Sequence, residues 1–186
     1  MTADNPVRHI PETIIERAQK VRLLAMDVDG VLTDGRLYFS ASGDEQKAFN
    51  ILDGQGIKLL QKAGIVTALI TGRTSPLTER RASDLGIQNL LQGREDKLQA
   101  LSELIGPLGF SLEETAYIGD DLPDLSAIRA AGLGVSVPNG YWLVQQAADW
   151  CTQTAGGAGA VRELSDLILS AQGKLAALHS TYDGDG

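Results

Sequence analysis

The chain has 186 residues, of which 43% are hydrophobic and 22% charged, the balance of a single ordered domain with a real core. Its 24 acids against 16 bases give a formal charge of −8 and exclude the basic face that a nucleic-acid or membrane-surface binder needs. One cysteine, Cys151, excludes an intramolecular disulfide and a cysteine-based zinc site.

In chain order, Pro11–Lys20 predicts a short amphipathic helix with Ile14, Ile15 and Ala18 on one face. Val21–Val28 is a near-continuous apolar run, the pattern of a strand buried on both faces. Further strands are expected at Ile65–Ile70, Ile87–Leu91, Thr115–Ile118 and Leu133–Val137, with a weaker one at Trp150–Thr152. Helical patterns lie between them at Gly56–Lys62, Pro76–Leu85, Lys97–Leu108, Leu122–Ala131, Tyr141–Ala148 and Ala160–Ala171. This alternation predicts a Rossmann-like α/β fold with a parallel sheet, in one domain over 1–186. The tail from about 174 to 186 reads as frayed. No apolar run approaches the ~18 residues of a membrane span and residues 1–10 hold no apolar leader core, so a cytoplasmic location is expected. His9 and His179 fall outside every cluster, and Cys151 reads as buried and inert.

One segment breaks the alternation. Arg36–Ser40 and Glu45–Phe49, joined by Ala-Ser-Gly-Asp, predict a β-hairpin over 36–49. Leu37, Phe39, Ala48 and Phe49 are too apolar for a hairpin alone in water, so a partner subunit is expected to cover them.

Ligands of open α/β sheets bind beyond the carboxyl ends of the strands. The first strand runs into Asp27-Val28-Asp29-Gly30, with two carboxylates at i and i+2 that extended backbone would place on one side. The second runs into Ile70-Thr71-Gly72-Arg73, and the fourth into Gly119-Asp120-Asp121-Leu122-Pro123-Asp124. Lys97 opens the helix between them. Taken singly, each has a plain structural explanation: a capped turn, a loop, or acids favoured by a helix dipole. Four clusters converging on one crevice call for a shared chemistry.

Together these residues resemble the haloacid-dehalogenase-like phosphohydrolases. Asp27 to Gly30 match the first family motif, Thr71 the second, Lys97 the third, and Asp120 with Asp124 the fourth. The resemblance implies a sheet in the order 5-4-1-2-3. The stretches between Asp27 and Thr71 and between Thr71 and Lys97 are too short for a folded cap, so the chain resembles the capless branch. Lys47-Ala48-Phe49-Asn50, residues 53–58 and residues 156–163 extend the match over most of the chain. The activity implied is hydrolysis of a sugar acid phosphate, 3-deoxy-D-manno-octulosonate 8-phosphate, in lipopolysaccharide precursor synthesis.

The resemblance also implies roles. Mg²⁺ would be held by Asp27, the Asp29 carbonyl and Asp120, with Asp121 or Asp124 in support. Asp27 would attack phosphorus to give an aspartyl-phosphate, and Asp29 would serve as acid, then base. Thr71, Gly72 and Lys97 would hold the transferring oxygens. Asn50, Asp53, Gly54, Lys58, Arg73 and Arg81 would join Asp29 and Lys97 in contacting substrate. Gly156, Gly157 and Gly159 would form a flexible loop closing over it, and Lys47 and Arg162 are candidates for reaching across subunits. A homotetramer with the hairpins at its centre is implied as well. Alternatives are a phosphatase of 2-keto-3-deoxynononate 9-phosphate, a non-catalytic regulatory domain of the same fold, and a manganese-dependent glycosyltransferase built on Asp-x-Asp.

Overall fold

Every residue of the first strand, β1 (Leu23–Met26), is buried in the computed structural model, which describes residues 10–182. A strand covered on both faces must be apolar on both, and Leu-Leu-Ala-Met meets that demand. β1 sits inside a six-stranded sheet between β4 (Val66–Ile70) and β6 (Thr115–Ile118). β5 (Asn89–Leu91) lies beyond β4, and β7 (Leu133–Ser136) and β8 (Trp150–Cys151) lie beyond β6. All these pairings are parallel. Numbering the core strands in chain order without the hairpin, the sheet reads 5-4-1-2-3, as expected, with β8 added beside β7.

The two faces of β1 feed two cores. Leu24 and Met26 join Ile57, Leu60, Leu164 and Ile168, from α2 (Ile51–Lys62) and α7 (Ala160–Ala171). Leu23 and Ala25 join Leu101 and Ile128, from α4 (Lys97–Leu108) and α5 (Leu125–Ala130). Each fully buried aliphatic side chain contributes about 1.5–3 kcal/mol, so the sheet is held from both sides. The shared register aligns Met26 with Leu69 and Ile118, which brings the carboxyl ends of β1, β4 and β6 level. Asp27 donates its amide to the Ile118 carbonyl at 3.0 Å, one step past that level.

Several expectations need correction. α2 begins at Ile51, five residues before the expected start, because the Asn50 side chain caps it by accepting from the Leu52 amide at 2.8 Å. Its glycines hide the helical pattern but serve close packing: a Cβ on Gly56 would lie 3.0 Å from the Arg162 Cα of α7. The expected helix over Leu122–Ala131 is a 3₁₀ turn at Leu122–Asp124 followed by α5, after an Asp121/Asp124 capping box. Residues 175–180 are helical rather than frayed, as α8 (Leu175–Ser180), with Leu178 buried against the core; residues 183–186 and His9 lie outside the described residues. The hairpin is shorter than expected, β2 (Tyr38–Phe39) against β3 (Glu45–Gln46). Leu37 and Phe39 are 50% and 63% exposed, as expected for an uncovered hairpin, whereas Phe49 packs on the chain's own core with the Arg81 guanidinium 5.6 Å from its ring. Phe49 needs no partner to cover it.

The glycine segment at 156–159 is fastened rather than loose. Gly157 donates to the Val31 carbonyl at 2.9 Å, and Asn50 donates to the Gly157 carbonyl at 3.3 Å. Asn139 donates to the Gly30 carbonyl at 3.1 Å while accepting from the Gly156 amide at 2.7 Å. A Cβ on Gly156 would stand 1.8 Å from the Gly30 carbonyl oxygen, so only glycine lets the two segments touch. Gly156→Ala should therefore destabilise by about 1–3 kcal/mol, an overpacking cost. A thermal melt would read this as a lower midpoint, with activity falling alongside; an unchanged midpoint would refute the close approach.

Candidate active site

Three carboxylates gather where the chain leaves β1 and β6. Asp27, Asp120 and Asp124 each bring an oxygen within 4.8 Å of the others. Asp27 follows directly on β1, and the tight Gly119 turn after β6 presents Asp120. That turn depends on glycine, since a Cβ on Gly119 would be 2.4 Å from Asp124. Gly30 has φ +100° and leaves room for Asp120, whose carboxylate a Cβ there would strike at 2.0 Å.

Asp124 is fully engaged. Tyr117 donates its hydroxyl to Oδ1 at 2.7 Å, and Lys97 stands 3.1 Å from the same atom. The amides of Asp120 and Asp121 donate to Oδ2 at 3.1 and 3.3 Å. Asp124 thus fixes the Gly119–Asp121 turn, while Asp121 is exposed and caps the Leu122 amide at 2.8 Å. Of the two acids expected to support a metal, Asp124 is the one in the cluster. Tyr117, a buried hydroxyl at the end of an apolar strand, was not expected here, although a buried Tyr hydroxyl always needs a partner.

Lys97 enters the cluster from the first residue of α4 and is 3% exposed. Its ammonium donates to Asp27 at 2.5 Å and to the Ile70 carbonyl at 2.7 Å. Burial by itself would lower the Lys97 pKa, but the Asp27 and Asp124 carboxylates outweigh it and hold the ammonium charged. One cation does not balance three acids. Burial, then repulsion from Asp124, pushes Asp27 up to about 7 against the pull of Lys97. Burial and the neighbouring carboxylates push Asp120 up to about 8. A compact set of under-compensated carboxylate oxygens fits a hard divalent cation, which prefers oxygen ligands.

Thr71 lies beside the cluster, one residue beyond β4, buried, its Oγ1 accepting from the Arg73 amide at 3.2 Å. Asp29 lies beyond the end of the strand, so extended backbone does not set its direction. β1 ends at Met26, and the chain wraps round the Val28 carbonyl, which accepts the Leu32 and Thr33 amides at 2.9 and 3.1 Å. That turn sends the Asp29 carboxylate to the hairpin, where it meets Lys47. Lys47 thereby reaches the site of its own chain, with its side chain 3% exposed. Glu45, two residues earlier, was not expected at the site; it lies 3.9 Å from Lys47 and accepts from Arg73 at 2.6 Å.

The other substrate candidates are placed differently. Asp53 is 1% exposed and turned from the crevice: its Oδ1 accepts the Arg162 amide at 2.9 Å at the start of α7, which has no side-chain cap of its own. Burial raises the Asp53 pKa. Asn50 is occupied by its cap and by Gly157, and Arg81 donates to the Asn50 carbonyl at 3.0 Å over Gly54. Lys58 is exposed on α2, Gly72 is half-buried, and the Arg162 side chain pairs with Asp166 on its own helix at 2.9 Å.

A parallel α/β sheet with an aspartate cluster and a buried lysine at its carboxyl edge defines a haloacid dehalogenase-like hydrolase, and a model of that family matches residues 83–164. The 3-deoxy-D-manno-octulosonate 8-phosphate phosphatase of Escherichia coli (strain K12) is 48% identical over 162 residues, 87% of this chain and 86% of that one. The Yersinia pestis protein of the same name is 48% identical over 166 residues, 89% of each chain. Among solved structures, the Moraxella catarrhalis phosphatase in complex with magnesium ion, phosphate ion and KDO superposes with a TM-score of 0.91 at 47% identity, covering 93% of this chain and 99% of that one. The chain belongs to the 3-deoxy-D-manno-octulosonate 8-phosphate phosphatase family. The glycosyltransferase alternative is set aside.

The raised acids give a pH signature. Without metal, folded Asp27 and Asp120 keep protons that the unfolded chain, with carboxyl pKa values near ~3.9, has already released. The folded state binds more protons between about pH 4 and about pH 8, so stability falls as pH rises through that window and levels off above it. In EDTA the thermal midpoint should follow that course, and added Mg²⁺ should raise it more at about pH 8 than at about pH 5. A flat profile in EDTA would contradict the repulsion described.

Proposed function

We propose that this chain is a Mg²⁺-dependent phosphomonoesterase that hydrolyses 3-deoxy-D-manno-octulosonate 8-phosphate to the free sugar acid and phosphate. The single observation that carries the reading is the set of Asp27, Asp120 and Asp124 closed round Lys97 in a chain of this family. Asp27, Asp120 and the Asp29 carbonyl are the proposed metal ligands, with Asp124 holding the loop that carries Asp120. When bound, Mg²⁺ supplies positive charge beside the nucleophile, without which a carboxylate and a phosphate dianion repel.

The residues then divide the work. Asp27, at the end of a fully buried strand, is held in one orientation by Lys97 and attacks phosphorus in line to give an aspartyl-phosphate. Asp29, in the turn just beyond, protonates the leaving alkoxide and then takes a proton from the water that cleaves the intermediate. The Thr71 hydroxyl and the Gly72 amide orient the transferring oxygens, and Lys97 offsets their charge. Arg73 is the proposed partner of the sugar carboxylate, and Lys58 and Arg81 line the approach; Asn50, Asp53 and Gly54 act as the scaffold that sets Arg81 and α7. A homotetramer built on the exposed hairpin residues Leu37, Tyr38 and Phe39, and a cytoplasmic place of action, belong to the same reading.

Phosphate release from a panel of sugar phosphates, with and without EDTA, tests it. The eight-carbon substrate should be preferred over 2-keto-3-deoxynononate 9-phosphate, and EDTA should abolish turnover. Asp27→Asn should leave no measurable activity, and Asp29→Asn should cost about 10²–10⁴-fold in kcat, the range for loss of a general acid–base group. Substantial turnover by Asp27→Asn would remove the nucleophile assignment, and a folded but inactive wild type would favour a regulatory role.

A further inference from the structure

We propose that Glu45 is a positioning residue that occupies Arg73 in place of the substrate's carboxylate and gives it up when substrate arrives, so that its side chain latches the active site of its own chain. The proposal rests on the reading of Arg73 as the partner of the sugar carboxylate. The outgoing strand of the hairpin carries Glu45 and Lys47 two residues apart, and both side chains turn toward the crevice. Lys47 pairs with Asp29, on the turn that follows β1, and Glu45 pairs with Arg73, on the loop that follows β4. Two ion pairs thus tie one short hairpin to the carboxyl ends of two strands of the sheet.

The charges explain why this is a latch rather than a fixed brace. A substrate bearing both a phosphate and a carboxylate needs cations for each. Lys97 is committed to Asp27 and Asp124, and Lys47, almost fully buried, is committed to Asp29. Arg73, with its side chain 42% exposed, is within reach of solvent on the loop that follows β4, and its guanidinium already holds a carboxylate at 2.6 Å. An incoming sugar acid presents the same group to the same fork of donors. Binding therefore exchanges one carboxylate for another on Arg73, and the Glu45 carboxylate moves to water. Rotation of the Glu45 side chain permits that exchange while Lys47 keeps the hairpin on Asp29. Glu45 lowers the affinity for the sugar acid and leaves that for a phosphate ester without a carboxylate unchanged.

The test compares Glu45→Gln and Glu45→Ala with wild type on two substrates, 3-deoxy-D-manno-octulosonate 8-phosphate and p-nitrophenyl phosphate, which has no carboxylate. Both variants should lower KM for the sugar acid phosphate by about two- to fivefold, the worth of a partly exposed ion pair, with kcat little changed. The ratio of kcat/KM for the two substrates should shift toward the sugar acid by the same factor. In an Arg73→Ala background the Glu45 substitutions should produce no further shift in that ratio. A raised KM, an unchanged ratio, or an equal shift in the Arg73→Ala background would overturn the latch. Failure of the functional reading is separate, since the wild type would then not hydrolyse the sugar acid phosphate at all. Circular dichroism and a thermal melt confirm that the hairpin variants fold.

Discussion

The buried ammonium of Lys97 is the constraint on which the site depends. It stands between Asp27 and Asp124 and is anchored to the Ile70 carbonyl, so it links the ends of β1, β4 and the turn after β6. Taking such a charge out of water costs several kcal/mol, and only good geometry with several partners repays it. The parallel sheet supplies that geometry. β1 is flanked by strands in matched register, so three chain ends meet at one level, and the crossover to α4 brings Lys97 back over them. This is the switch point of an open α/β sheet, where strand order reverses about β1 and leaves a crevice.

One lysine cannot neutralise the acids it joins. The remaining imbalance shows in the raised pKa values of Asp27 and Asp120, and it is the driving force for cation binding. Asp124 spends its oxygens on Tyr117, Lys97 and two amides, and so keeps the Asp120 turn rigid. Asp120 accepts none of those bonds, which suits the ligand role proposed for it. The acidity of the chain, which at first argues against an anionic substrate, is in this light partly the means of holding the cation that such a substrate requires.

Much of this was legible in the sequence because it rests on local pattern. Apolar runs bounded by glycine mark buried strands, and carboxylates just beyond them can only lie at the sheet edge. α4 and α7 were expected with the bounds they have. What was not legible depends on contacts distant in sequence. The start of α2 was obscured by Gly54 and Gly56, residues that disfavour a helix but are required where Arg81 and α7 press on it. Asp53 reads as one more acid near a glycine-rich turn; that it caps α7, 109 residues away, is visible only in three dimensions. The pairing of Asp29 with Lys47 was not legible because two-residue alternation applies to a strand, and the strand has ended by then. Asn139 carries no signal beyond an ordinary Asn-Gly turn, yet it joins Gly30 to Gly156.

The crevice therefore has two unlike walls, and the difference suits a phosphatase without a cap domain. One wall is the glycine segment at 156–159, pinned by backbone bonds and by contacts so close that a single methyl group would break them. Such a wall cannot move without disturbing the turn that carries Asp29 and Gly30, so it holds the reacting groups still. The other wall is the hairpin, attached by ion pairs at its inner strand and otherwise exposed. The Arg73–Glu45 pair lies near solvent, and such pairs are weak, exchangeable and selective for charge. On the roles proposed above, a rigid wall beside the chemistry and an ionic wall beside the sugar divide catalysis from recognition. Enzymes with a cap achieve this division with a second domain; here it falls to the hairpin segment at 36–49 and one arginine after β4.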